Sequence, residues 1–410
     1  LKYLPIFKLC IPEKVTVPIK IDFRQIVVND THVVWLAEAN RFVQFKEPAF
    51  FVFEQWAIGV AIDSIAISCT VKYGLPPPEA ERFAGEIIGE TEKLFDGDGS
   101  QEEESQNRNI AKSQSRPVAE SQSRKVAKSQ SRLTTCTILN KTLLFNYETV
   151  ELENLFRPMF KQFEVEVEVE VEVEKMDSLD FFLSDGNYVF RVNDREPQIF
   201  GMDDAEHFQG AVLLDILNIL HNKTKEDWMA VFHASAVSFG EKALLFTADS
   251  GGGKSTLAAL LVTNGGKLIS DDFVPVSLDD PKVFPLPSAL SVKKGALPVL
   301  KDFFPELRQL QEEWDGESEL FLPFPEERTE GSPVRAQAIV FVRYDPSAGF
   351  SLTRESNLEM MNALLKQSWI PGNAEAAGGF LAWYFSLPVY SLTYSDSEKM
   401  SEEIKPIFDV

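Results

Sequence analysis

The sequence predicts an α/β phosphate-loop domain preceded by a small α+β module. Three observations predict it. A short apolar strand, a glycine-rich loop ending in Lys-Ser-Thr and an apolar helix follow one another over residues 243–262. A second apolar strand, residues 267–272, ends in two adjacent aspartates. Near the N-terminus, a hairpin pattern gives way to helical spacing, and a low-complexity repeat separates that region from the rest.

The chain has 410 residues, enough for two or three domains, with 44% apolar and 25% charged residues, the balance of a globular protein. Its 63 acidic against 40 basic residues give a formal charge of -23, which argues against nucleic acid or an anionic membrane as partner. No apolar run approaches the length of a spanning helix. Three well-separated cysteines, Cys10, Cys69 and Cys136, fit neither a disulfide framework nor a zinc site. Four scattered histidines make an all-protein metal cage a poor fit. A reducing, cytoplasmic setting is the expectation.

Residues 25–97 read as the small module. Val33–Leu36 and Phe42–Phe45 flank a polar Glu38-Ala39-Asn40 turn, as a hairpin does. A short Phe-rich helix is expected over Glu47–Ala57. Ile62, Ile65, Ala66 and Cys69 mark a second helix, stopped by Gly74 and Pro76-Pro77-Pro78. Ala80, Phe83, Ile87, Leu94 and Phe95 form the apolar stripe of a third.

Residues 98–132 contain an eight-residue repeat that begins at Ser105-Gln106-Asn107-Arg108 and carries seven Lys/Arg against one Glu as far as Arg132. So few apolar groups cannot offset chain entropy, which predicts a linker. From residue 133 strands and a helix are expected, the helix over Ala211–Leu220. Glu164–Glu174 alternates Glu and Val, the period of a strand with one self-repelling acidic face, hence an edge or protruding strand.

The strongest motif is Ala248-Asp249-Ser250-Gly251-Gly252-Gly253-Lys254-Ser255-Thr256, a phosphate-loop pattern with alanine at the first glycine position. Glycines let backbone N–H groups turn toward phosphate oxygens, and the helix start adds partial positive charge. The pattern puts Lys254 on the β- and γ-phosphates and the Ser255 hydroxyl on Mg²⁺. Asn-Lys-x-Asp, Leu-Ser-Gly-Gly-Gln, His-Arg-Asp and Asp-Phe-Gly are all absent, which disfavours GTPases, ABC ATPases and eukaryotic-type protein kinases. Asp271 follows Lys254 by 17 residues, room for one helix and a turn, so its strand is expected beside the loop's own. One carboxylate of Asp271-Asp272 would serve the metal and the other would accept a proton from an attacking hydroxyl. His233, 21 residues before Lys254, leads into the same region.

His233, the loop and Ser270-Asp271-Asp272, at these spacings, resemble the catalytic core of HPr kinase/phosphorylase, and more closely the shorter HPr-kinase-like enzymes of modified-peptide (RiPP) biosynthesis. The resemblance covers residues 133–410 and is specific over 233–276. It implies an α/β phosphate-loop fold of the HPr kinase and phosphoenolpyruvate carboxykinase type, ATP and Mg²⁺ as cofactors, and transfer of phosphate to a serine hydroxyl. It implies Asp271 as base with Asp272 beside it, Lys254 and Ser255 on nucleotide and metal, and His233 near the acceptor. More weakly it implies charge stabilisation by Lys293 and Arg343. The Arg-Gly-x-Gly stretch of HPr kinases is missing after the aspartates, which argues against HPr as substrate and against the reverse phosphorylase activity.

The N-terminal module resembles PqqD-like domains, small winged-helix-like α+β units, through Arg41-Phe42-Val43, Glu47-Pro48-Ala49, Tyr73-Gly74-Leu75 and Glu86-Ile87-Ile88. That resemblance implies binding of a precursor's leader peptide. A DNA-reading role is disfavoured by the five glutamates of the third helix. The combined expectation is a peptide kinase. A nucleotide-gated peptide-binding module and a small-molecule kinase are the alternatives.

Overall fold

The computed structural model describes residues 21–96, 132–166, 176–307, 320–324 and 326–408. They form two compact units, one within residues 1–100 and one covering nearly all of residues 101–410. The repeat of residues 98–132, apart from Arg132, lies outside the described residues. So does most of the Glu-Val run, of which Glu164 alone makes a bridge, to Cys136.

The first unit is an antiparallel sheet of β1 (Phe23–Val28), β2 (Thr31–Leu36) and β3 (Arg41–Lys46), followed by α1 (Ala49–Ala57), α2 (Ile62–Tyr73) and α3 (Pro77–Asp96). Its central strand is its most buried: Val33, Val34, Trp35 and Leu36 are all in the core. Asn40 turns the β2–β3 hairpin at positive φ, and its side chain accepts a 3.0 Å bond from the Trp35 indole. Gly74 ends α2 in the left-handed region. In α3 the buried line is Ala80, Ala84 and Ile88, with Phe83, Ile87, Leu94 and Phe95 half-buried beside it. The expected stripe is thus rotated by about one residue. Small side chains occupy the centre because α3 packs against both α1 and α2.

The second unit holds two larger sheets. The smaller runs β4 (Arg132–Ile138), β5 (Lys141–Tyr147), β6 (Asp177–Ser184), β7 (Asn187–Val192), β8 (Gln198–Gly201), in that spatial order, with β5 and β6 parallel. Helices α4 (Val150–Phe160) and α5 (Ala205–His221) cover it over an aromatic core of Phe145, Phe156, Phe160, Phe181, Phe190 and Phe208. The helix expected over Ala211–Leu220 is the second half of α5.

The larger sheet carries the loop. Its strands are β9 (Trp228–Phe232), β10 (Ser235–Phe239), β11 (Lys242–Thr247), β12 (Lys267–Asp271), β13 (Val274–Ser277) and β14 (Lys282–Val283). After the small pair β15 (Leu290–Val292) and β16 (Leu320–Leu322) come β17 (Val334–Tyr344), β18 (Ser351–Glu355), β19 (Ser368–Trp369) and β20 (Val389–Tyr394). The pairs β11–β17 and β17–β20 are parallel, so the sheet is mixed. Helix α6 (Lys254–Thr263) leaves the end of β11, and seven of its ten residues are buried.

The strand order corrects one expectation. β12 does not lie beside β11. The spatial order is β12-β10-β11-β17, with β10 antiparallel to both neighbours. The β10–β11 hairpin closes before the loop is reached, so β12 returns next to β10, one place further out. Among the described residues no helix is long and apolar enough to cross a membrane.

Candidate functional site

The glycine-rich loop is built by backbone that only glycine tolerates easily. Gly251 and Gly253 have φ of 80° and 100°. At Gly252 the constraint is space: a Cβ there would stand 2.7 Å from that of Ala248 and 3.0 Å from the Asp249 carbonyl oxygen. The loop is tied down by Gly252 N–H to Asp249 O (2.9 Å) and by Tyr344 N–H, from the end of β17, to Gly252 O (3.1 Å). Lys254 begins α6 and is only 6% exposed.

The second half of the site arrives on β12. Asp271 is 4% exposed. Its Oδ1 accepts bonds from the hydroxyls of Ser255 (3.0 Å) and Ser235, and its Oδ2 from the Ser291 N–H (3.3 Å). Burial, and then the neighbouring Asp272 charge, push its carboxyl up to about 7, against the lowering effect of the two hydroxyls and Lys254. Asp272 differs. It sits at a positive φ of 62°, a conformation aspartate tolerates better than most residues. Its side chain is 40% exposed and lies 3.8 Å from Lys254 Nζ and 3.5 Å from His233 Nε2. The chain therefore sends two adjacent carboxylates in different directions, one under the loop and one into the open.

His233 stands between β9 and β10, with its N–H bonded to the Gln367 carbonyl at 2.7 Å. Desolvation and the Lys254 charge push its imidazole below the usual histidine range, with Asp272 pulling the other way. Both lowering effects favour the neutral imidazole. Lys293 Nζ donates to Ser250 Oγ at 2.8 Å across the mouth of the loop.

These groups line one cleft of about 880 Å³, a volume ordinary for a small-molecule site. Ser250, Gly251, Gly253, Lys254, Ser255, Thr256, Asp271, Asp272, His233 and Lys293 all contribute to its wall. Gly252 is not among the lining residues and shapes the loop from behind. Arg343 is not brought in. It is exposed, pairs with Asp345 at 3.4 Å, and leaves its strand neighbour Tyr344 to face the cleft. Alternation along β17 explains this: adjacent residues point to opposite faces. Glu206 at the start of α5, with Leu155, Met159 and Leu213, also contributes to the wall.

Three participants carry no sequence signal. Ser235 and Ser291 reach Asp271 from β10 and β15. Tyr394 enters the cleft wall from β20, far along the chain.

The donor set suits a hard cation. The Ser255 hydroxyl and the Asp271 carboxylate converge, and both are oxygen donors of the kind Mg²⁺ takes. Among the described residues no group of three or more His, Cys, Asp or Glu is placed to hold a metal alone. A cation here would complete its shell with substrate phosphates and water, the usual arrangement for Mg²⁺.

No family model matches the chain, and no curated protein matches it. Among solved structures, the chain is similar to the HPr(Ser) kinase/phosphatase from Coxiella burnetii, at 13% identity. The match covers 44% of this chain and 93% of that one, with a TM-score of 0.23. At that level of overlap, it is the residues of the cleft that carry the functional reading.

Proposed function

We propose that this protein is an ATP-dependent kinase that transfers the γ-phosphoryl group to a hydroxyl, a serine of a precursor peptide or small carrier protein. The observation that carries this reading is the convergence of Lys254, Ser255, Asp271 and Asp272 in one cleft beside a glycine loop. A nucleotide-gated binding module has no use for an open carboxylate there.

In this reading the loop N–H groups and Lys254 hold the triphosphate, and Mg²⁺, bound through Ser255 and an aspartate, offsets its charge. The two carboxylates divide the work. Asp271, with both oxygens engaged, fixes the Ser255 hydroxyl. Asp272, open to the cleft, takes the proton of the acceptor hydroxyl. This moves the role of base from Asp271, where the resemblance puts it, to its neighbour. As the proton goes to Asp272, the acceptor oxygen bonds to the γ-phosphorus, the bond to the bridging oxygen breaks, and ADP leaves. His233, 3.5 Å from Asp272, orients that carboxylate and the acceptor. The PqqD-like module would capture the peptide's leader, and attachment through residues 98–132 would raise the acceptor's local concentration.

The test is transfer from γ-labelled ATP to the small peptide encoded nearest the gene, located by mass spectrometry. Label on serine is expected, lost in Lys254→Ala and in Asp272→Asn. Retention of transfer in Asp272→Asn would return the base to Asp271. Tight ATP-dependent peptide binding without label would refute the kinase in favour of a gated binder. Label on a small alcohol but on no peptide would refute the peptide acceptor.

A further inference from the structure

Tyr394 poses a problem that the cleft can answer. Its side chain is 1% exposed, packed in the main core of the second unit, and its hydroxyl oxygen has no hydrogen-bond partner. A buried hydroxyl left unpaired is destabilising, so such groups call for an explanation. Burial and the nearby Tyr344 raise its phenol well above the ordinary value, so it remains a donor at any physiological pH.

Its position supplies the explanation. Tyr394 closes β20, in register with Tyr344 of β17, and the two rings meet edge to face at 5.5 Å. Tyr344 N–H holds Gly252 of the loop. A Cβ built on Gly253 would stand 3.5 Å from the Tyr394 oxygen and 3.2 Å from Tyr344 Cβ. The unpaired O–H therefore lies against a loop glycine at left-handed φ, and Tyr394 forms part of the cleft wall. Thr247, just before the loop, also has an unpaired buried hydroxyl, but it takes no part in the cleft wall.

We propose that the Tyr394 hydroxyl is a hydrogen-bond donor to the phosphate group held by the glycine loop. The inference rests on the nucleotide-binding reading above and adds a residue to it. Turning the Gly253 peptide toward a bound anion uncovers the oxygen, and the phosphate supplies the acceptor that the free protein lacks. The bond is made only with ligand present, so losing it has opposite signs in the two states.

The experiment compares the full chain with Tyr394→Phe, and with Lys254→Ala as control, by thermal unfolding without ligand and by calorimetric titration with ATP and Mg²⁺. Tyr394→Phe is expected to unfold at the same temperature as the parent or higher, because it removes an unsatisfied polar atom. Its ATP affinity is expected to fall about tenfold, equivalent to about 1.4 kcal/mol. ATP affinity within twofold of the parent would overturn the proposal, while Lys254→Ala still lost binding. A drop in ligand-free stability would also overturn it, by revealing a structural partner for the hydroxyl. Failure of the parent itself to bind ATP would overturn the nucleotide reading and this inference with it.

Discussion

Replacing Gly252 by alanine separates space from backbone freedom within the loop. Gly252, unlike its neighbours, has no positive φ, so the backbone itself accepts an alanine. The obstacle is contact: the new methyl would lie 2.7 Å from Ala248 Cβ, 3.0 Å from Asp249 O and 3.4 Å from Val342 O. Ordinary carbon contacts are about 3.5–4.0 Å, so the first is short by about 1 Å, and two of the three opposing atoms are backbone. Overpacking of this kind costs roughly 1–3 kcal/mol. Relief by moving the loop would break the 2.9 Å and 3.1 Å bonds that tie Gly252 to Asp249 and Tyr344. The expected result is lower stability in denaturant unfolding and at least tenfold weaker binding of a fluorescent ATP analogue. The worst contact comes from Ala248, which stands where the phosphate-loop pattern has its first glycine. Combining Gly252→Ala with Ala248→Gly removes that contact and should recover part of both losses, a coupling of roughly 0.5–3 kcal/mol between adjacent sites. If Gly252→Ala matches the parent in both assays, or if the double variant is no better than the single, the steric reasoning fails.

Asp271 takes up a proton on folding, because its carboxyl is raised from the ordinary value to about 7. Its contribution to stability is full below about pH 4 and is lost as pH rises to about 7, so Asp271→Asn should flatten that part of the stability profile measured by denaturant titration. His233→Ala should keep ATP affinity within about twofold yet lower transfer by about 10²-fold or more, the range of proton-handling groups; equal losses in binding and transfer would instead make it a nucleotide ligand. Arg343→Ala should leave nucleotide binding and stability unchanged to within about 0.5 kcal/mol, as for other exposed positions, whereas Lys293→Ala, which removes the bond to Ser250, should weaken binding in the same titration.

What could be read from the sequence was local. Strand, glycine loop and helix are contiguous, so their chemistry and their geometry coincide over residues 242–263. His233 and Asp271 are 38 residues apart in sequence and meet only because β10 pairs with β12. Strand order was not legible, since the period of β10 does not say whether it pairs to one side or both. That is why Ser235, one serine among many, gave no sign that it would sit opposite Asp271. Tyr394 was hidden by distance: it is carried to the loop by a parallel pairing with β17, which no local pattern announces. Arg343 and Tyr344 show the limit of charge as a guide. The arginine drew notice, but the pleat turned the tyrosine inward.

The interposed hairpin of β10 and β11 has a practical consequence for engineering. Ser235 and Phe246 pair at the cleft end of this hairpin, and Phe239 and Lys242 at the other. The turn between them, Gly240-Glu241, is exposed, with Gly240 at a positive φ. Four residues of paired strand, about 13 Å at the usual rise, separate that turn from Ser235. New termini or a fused reporter placed there would leave His233 and the loop on opposite sides of the cut in sequence, yet still joined by the β10–β11 ladder. A protein split at Gly240 would thus recover its cleft only when the two pieces associate, which makes this turn a natural place to couple assembly to the formation of the cleft.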